Sequence, residues 1–320
     1  MNFKLLATTA PPLQQQLQWL FHSPSTSSFI TGDERTSFSI PVATPSTLSP
    51  FAPARPPEPF HPCNLPIPAE LYTEFASHSW HGFRFLDASA YDAAEDNKGL
   101  PAGDLLRTLL FNPDYGHYVL HPATGLILAL RSGSLQLLNR TTDGFTPIDQ
   151  TRTRGKATLA FAAHPTEPLI AYGDNAGTFT AHRYQPTGFI KASKITAKDR
   201  KASRLNFSPD GATLMLGGMG YLATFSYENG KFFPRHETSI AVRDFLWLPD
   251  KNLVLVNQGL HGLTAFNYSP QSGFTQLAEA KPPGGVNQMS ASNDAKHLAV
   301  TLQESPAVSV YAITSRESSS

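Results

Sequence analysis

A turn that returns about every 43 residues constrains this chain more than any other feature. With Pro209 in "NFSPDGATLML" as reference, comparable turns fall at Pro122 ("VLHPATGLILAL"), Pro165 ("FAAHPTEPLIAYG"), Pro249 ("FLWLPDKNLVLV") and Asn293 ("SASNDAKHLAV"). The steps between them are 43, 44, 40 and 44 residues. A second marker, a Gly or Ala opening the next strand, recurs at Gly133, Gly177, Gly220, Gly262 and Ala307. A third is a Gly closely followed by Phe: Gly144–Phe145, Gly188–Phe189, Gly230 with Phe232, and Gly273–Phe274. Three markers sharing one period describe a supersecondary unit that cannot cover its own apolar faces and must stack on copies of itself.

Each unit reads as four strands. Residues 204–208 and 212–217 flank a Pro-Asp-Gly turn whose residues preset φ and supply the left-handed position. "YLATFSY" (221–227) alternates Leu222, Thr224 and Ser226 with Ala223, Phe225 and Tyr227, the pattern of a half-buried strand. "TLMLG" is apolar on both faces, as a strand sandwiched between sheets must be. "KFFPRHE" is more polar and carries Pro234, which belongs on an edge. Four strands in 40–45 residues make a β-propeller blade. The expected fold is all-β, one propeller domain over residues 1–320.

Before residue 115 the markers weaken. "FHSPSTSSFITGDERTSFSIP" (21–41) still aligns, with Pro24 at the turn, and a unit centred near Ser79 fills the gap, giving seven blades; six with a separate N-terminal segment is the alternative. The last unit ends after its third strand, "AVSVYAIT", while "NFKLLAT" (2–8) has no place in the first. The N-terminal strand is therefore expected to complete the last blade as its outer strand. Residues 41–67 are a proline-rich insertion, with Pro53, Pro56, Pro59 and Pro62 spaced as on one edge of a polyproline II helix, and 314–320 form a disordered tail.

"FSPDGATLMLGG" resembles the start of a WD-repeat blade, and the likeness spans about 115–313, although no unit carries the Trp-Asp dipeptide. "GGVNQMSASNDAKHLAVTLQESPAVSVYAI" (284–313) and "GLTAFNYSPQSGFTQLAE" (262–279) are similar to repeats of lactonase-type propellers. The first resemblance implies the propeller fold. The second implies a hydrolytic enzyme working in the central channel.

Lys plus Arg and Asp plus Glu both number 25, so no global field draws the chain to nucleic acid or an anionic membrane. Cys63 is the single cysteine, and neither a signal peptide nor a membrane-spanning run is expected, which points to a soluble cytoplasmic protein. No nucleophile elbow, phosphate loop or His-Glu-x-x-His helix occurs, and no cofactor is expected. His78 and His81, with "HPC" (61–63) upstream, lack the convergent ligands of a metal site. His121 and His164 both precede a turn proline, and recurrence favours a shared structural role, capping a turn or packing between blades.

The local charge is uneven. Residues 152–204 hold ten basic residues against three acids, concentrated in 152–156 and 191–204, between an outer strand and the next inner one. Arg152, Arg154, Lys156, Lys198, Arg200, Lys201 and Arg204 would form a basic sector on one face, suited to an acidic protein surface. Aromatics for base stacking are missing from it, which argues against nucleic acid. His117, Arg204, Asp244 and Gln288 enter the inner strands and are the candidates at the channel mouth. The expectation is a non-catalytic, monomeric platform binding another protein within a larger complex. A hydrolytic propeller and one that binds a small ligand or nucleic acid are the alternatives.

Overall fold

The computed structural model describes residues 1–11, 17, 19–32, 37–50, 115–120, 124, 126–131, 134–141, 144–152, 158–174, 179–195, 202–248 and 252–314. Among them are six four-stranded antiparallel sheets, here blades A to F. Blade A comprises Trp19–Ser23, Ser28–Gly32, Ser37–Pro41 and the short Ser49–Pro50; blade B, Tyr115–Leu120, Ile127–Arg131, Ser134–Thr141 and Gly144–Arg152. Blade C comprises Thr158–Ala163, Leu169–Asp174, Phe179–Gln185 and Gly188–Ile195; blade D, Ala202–Phe207, Thr213–Gly218, Tyr221–Glu228 and Lys231–Thr238. Blade E comprises Asp244–Trp247, Leu253–Asn257, Leu263–Ser269 and Gly273–Ala280; blade F, Val286–Ala291, His297–Leu302, Val308–Thr314 and, as fourth strand, Asn2–Thr9.

The first strands are innermost and lie beside one another in the order B, C, D, E, F, A. The unit expected near Ser79 lies outside the described residues, as does most of the 41–67 segment. Ser49 and Pro50, at the start of that segment, pair with Ser39 and Phe38 as the outer strand of blade A.

The apolar pattern explains the stacking. Each hydrophobic cluster is shared by two neighbouring blades, so the cores lie between sheets and not within them. Blade C sends Ala171, Phe179 and Ala181 toward Leu214 and Leu216 of blade D, and Ile170, Tyr172 and Tyr184 toward Leu128 and Leu137 of blade B. Met215 and Leu222 of blade D face Val254, Val256 and Phe266 of blade E. Strand 213–218 is buried along its whole length because both its faces meet a neighbouring sheet. Strand 231–238 is largely exposed, with Pro234 on the outer edge where its missing N–H costs nothing.

The ring closes as the sequence suggests. Strand 2–9 pairs antiparallel with 308–314, from Asn2 opposite Thr314 to Thr9 opposite Val308. Phe3 sets its ring edge-on to Tyr311, and the Thr8 and Ser309 hydroxyls are 3.0 Å apart. Thr314, read from sequence as the first residue of a tail, is instead the last residue of its strand, held by that pairing. Across the seam, Leu17, Leu20, Phe29 and Ile40 pack on Ala299, Val308 and Val310 of blade F.

Candidate interaction face

Within each blade the meander sends the loops between second and third strands, and the connections from outer strand to next inner strand, to one face. The opposite face carries the turns between first and second and between third and fourth strands.

On the opposite face the recurring turn is a local hydrogen-bonding device. Ser208 Oγ accepts the Thr213 N–H (2.9 Å) and donates to Asp210 Oδ1, which also accepts the Ala212 N–H. Ser292, Asp294, Lys296 and His297 repeat this arrangement in blade F. The Pro-Asp-Gly acid is therefore consumed by its own turn. His164 occupies the serine position of blade C. Its Nδ1 accepts the Thr166 and Glu167 N–H groups at 3.3 and 3.0 Å, which leaves the proton on Nε2 to donate to Gly211 O at 3.1 Å in blade D. The ring also packs edge-on to Phe207 and Tyr227. His164 thus caps its own turn and ties two blades, both of the roles expected; His121 lies outside the described residues. Burial lowers the His164 pKa from its ordinary value, with the charge of Glu167 opposing.

Beside it sits a cluster that sequence reasoning did not find. The Arg183 guanidinium donates from Nη2 to Glu167 Oε2 (2.5 Å) and to the Tyr227 hydroxyl (2.6 Å). Arg183 was counted in the basic excess, yet its charge is met by a carboxylate on the same face. Burial raises the Tyr227 hydroxyl, and the adjacent guanidinium pulls it back.

Where they begin, the inner strands of blades B, C, D and F each carry a register shift immediately before His117, Ala160, Arg204 and Gln288. Three of the four candidates, and Ala160 at the equivalent position of blade C, therefore follow a repeated β-bulge, a device that re-aims side chains. Asp244 opens the blade E strand opposite Asn257. Of His117 only the backbone is described. The Gln288 backbone N–H donates to Thr301 Oγ1 at 3.1 Å, fixing the bulge of blade F.

The polar groups here run from blade to blade. Arg204 Nε donates to Asp244 Oδ1 at 3.2 Å, and that oxygen also accepts the Phe245 N–H. Burial raises the Asp244 pKa, while Arg204 and the Phe245 N–H pull it down. Arg243 Nη2 donates to Asn287 Oδ1 (2.8 Å), Asn287 Nδ2 to Leu17 O (3.3 Å) and Asn257 Nδ2 to Asn287 O (3.2 Å). This belt links blades D, E and F to the segment entering blade A. Of the basic sector, Arg152 is exposed at the end of its outer strand and Arg204 is tied to Asp244, whereas Arg154, Lys156, Lys198, Arg200 and Lys201 lie outside the described residues.

Among the described residues no three His, Cys, Asp or Glu side chains gather to hold a metal ion. An open cavity of about 730 Å³ lies at the seam between blades F and A, lined by Leu6, Ser27, His297 and residues 42–47. It brings together no acid–base pair.

No family model matches the chain, and no curated protein does. The solved β-propeller domain of Cps50 (Swd1) from Myceliophteria thermophila matches with a TM-score of 0.65 at 11% identity, over 98% of this chain and 100% of that domain. In all, 1467 solved chains match, so the likeness selects an architecture and not an activity. The chain has the β-propeller fold.

Proposed function

We propose that the chain is a non-catalytic propeller that binds another protein through the loops of one face, with the basic sector of Arg152, Arg154, Lys156, Lys198, Arg200 and Lys201 contributing to recognition, while Arg204 is held by Asp244. One observation carries this reading. The candidate residues that could have formed a reacting pair, Arg204 with Asp244, bridge one blade to the next. They hold the ring together and leave the loops above them to vary, as on a scaffold whose binding residues sit on loops. No observation favours the hydrolytic reading.

The test is charge reversal at Arg154, Arg200 and Lys201, which leaves the Arg204–Asp244 tie intact, followed by quantitative affinity capture from native cells. Depletion of specific captured proteins at unchanged melting temperature supports the platform. An identical set of partners at identical yield refutes the role of the sector.

A further inference from the structure

Two large apolar side chains stand out from the face that carries the second-to-third-strand loops. Met219, at the tip of Gly218–Met219–Gly220 in blade D, is 95% exposed, and Leu260, in the corresponding loop of blade E, is 57% exposed. Neither builds its loop. The reversal is made by Gly220 and by Gly259 and Gly262, all at positive φ.

The two loops are joined through the segment that leads into blade E. The Val242 N–H donates to Gly218 O at 3.1 Å and the Arg243 N–H donates to Asn257 O at 2.8 Å. The Arg243 Cδ passes 3.8 Å from where a side chain on Gly259 would begin. The Met219 and Leu260 loops therefore flank the segment carrying the exposed Arg243 guanidinium, whose one hydrogen bond among the described residues goes to the neutral Asn287 amide. Lys281, also exposed, follows in the next connection, its Cα against Gly262. Asp244, adjacent in the chain, is hydrogen-bonded by Arg204, and its charge also acts on Arg243 without an ion-pair contact between the two.

We propose that this patch docks a short acidic segment of a partner protein, one large apolar side chain of the segment lying against Met219 and Leu260 while its carboxylates meet Arg243 and Lys281. The inference rests on the platform reading above and names where on the face the partner sits. Methionine suits the role because its unbranched, polarisable chain adapts to the group it meets. Arginine suits it because its fixed fork of donors recognises carboxylate, and arginine and aromatic anchors dominate binding at such patches. Exposed apolar groups beside exposed cations are what an acidic, apolar-anchored segment complements.

The test uses a displayed library of random nonapeptides selected on the full chain, with counter-selection on the Arg243→Gln/Leu260→Ser double variant. Enriched peptides should place Asp or Glu within a few residues of a Leu, Phe or Trp. They should bind at least tenfold more weakly to Arg243→Gln and at least fivefold more weakly to Met219→Ser and Leu260→Ser. Arg243→Gln gives up only an exposed hydrogen bond to Asn287, and the other two changes are at exposed loop positions, so all three variants should stay folded with melting temperatures within about 2 °C of wild type. Enriched peptides without acids, or with unchanged affinity for these variants, overturn the proposal. So does tight binding of single-stranded oligothymidine that Arg243→Gln abolishes, since it reassigns the patch to nucleic acid. If captured proteins respond to the basic-sector reversal but not to Arg243→Gln, the platform stands and this docking site falls.

Discussion

Replacing His164 with Ala removes a side chain that is 3% exposed, together with three hydrogen bonds. The Thr166 and Glu167 N–H groups lie at the rim, where water recovers part of what they lose. The Gly211 carbonyl lies under the imidazole in a buried turn and is left unpaired, at a cost of about 1–3 kcal/mol. The contacts with Phe207 and Tyr227 leave a void, and the sum comes to about 3–4 kcal/mol. With an unfolding entropy of about 0.7 kcal/mol/K for a chain of this size, the melting temperature should fall by about 4–6 °C. His164→Ser should recover about 1–2 kcal/mol of this, because serine caps the same turn in blades D and F but cannot reach Gly211. Urea titration of the three proteins decides the matter. A cost below about 1 kcal/mol for Ala, or a Ser variant no better than Ala, refutes the assignment of His164 as both cap and inter-blade tie.

The same histidine gives a pH dependence. Burial lowers His164 and His182 below their ordinary value, so between that value of about 6.5 and the folded one the unfolded chain binds more protons. Stability should be full above about pH 6.5 and decline on acidification, by up to about 1.4 kcal/mol per pH unit for each group, and His164→Ser should flatten part of the decline; a flat wild-type profile between pH 7.5 and 5 counts against it. Gly211 and Gly220 both sit at positive φ, but a Cβ on Gly211 would strike the His164 ring whereas one on Gly220 meets nothing within 4 Å. Gly220→Ala should therefore cost about 1 kcal/mol and Gly211→Ala at least about 2 kcal/mol more, and equal costs would contradict the packing described. Deleting residues 1–9 should lower the melting temperature sharply, and a synthetic peptide of residues 1–12 added in excess should restore it; an unchanged melting temperature would exclude strand 2–9 as a stabilising part of blade F.

Much of the architecture was legible because the period is written in turn chemistry. Ser208–Pro209–Asp210 and Ser292–Asn293–Asp294 are local devices whose residues carry their own conformational preferences, so they can be read without knowing what surrounds them. The N-terminal clasp was legible by subtraction, from a last unit one strand short. What escaped was the pairing between blades. Arg183 and Arg204 counted as positive charge in sequence, yet the first meets Glu167 and Tyr227 and the second Asp244. Glu167 reaches Arg183 within one blade, but Tyr227 and Asp244 are brought in by the ring and by no local pattern.

One signal could have found them. Arg183 to Tyr227, Arg243 to Asn287 and Thr224 to Tyr268 are each separated by 44 residues, and Arg204 to Asp244 by 40. Neighbouring blades repeat at nearly constant height, so residues one period apart face each other. A polar residue in such a chain should be paired on paper with what lies one repeat away before it is counted as available to a partner. Arg243, whose partner at that distance is a neutral amide, survives this screening.

The clasp also orders events in time. Asn2 and Thr314 are 312 positions apart, so strand 2–9 has to wait for strand 308–314 before it finds its neighbour. At about 5–20 residues per second that wait lasts on the order of 15–60 s. Throughout it, strand 2–9 presents unpaired backbone together with Leu5 and Leu6, which stay partly exposed even in the finished blade. Blades B to E can assemble from contacts within and between adjacent units as they emerge, but blade F cannot be completed until synthesis has passed Thr314. Until then the blades form an open arc with an unpaired strand beside it, and the interval before closure is when chaperone binding, or mispairing with another copy, would be decided.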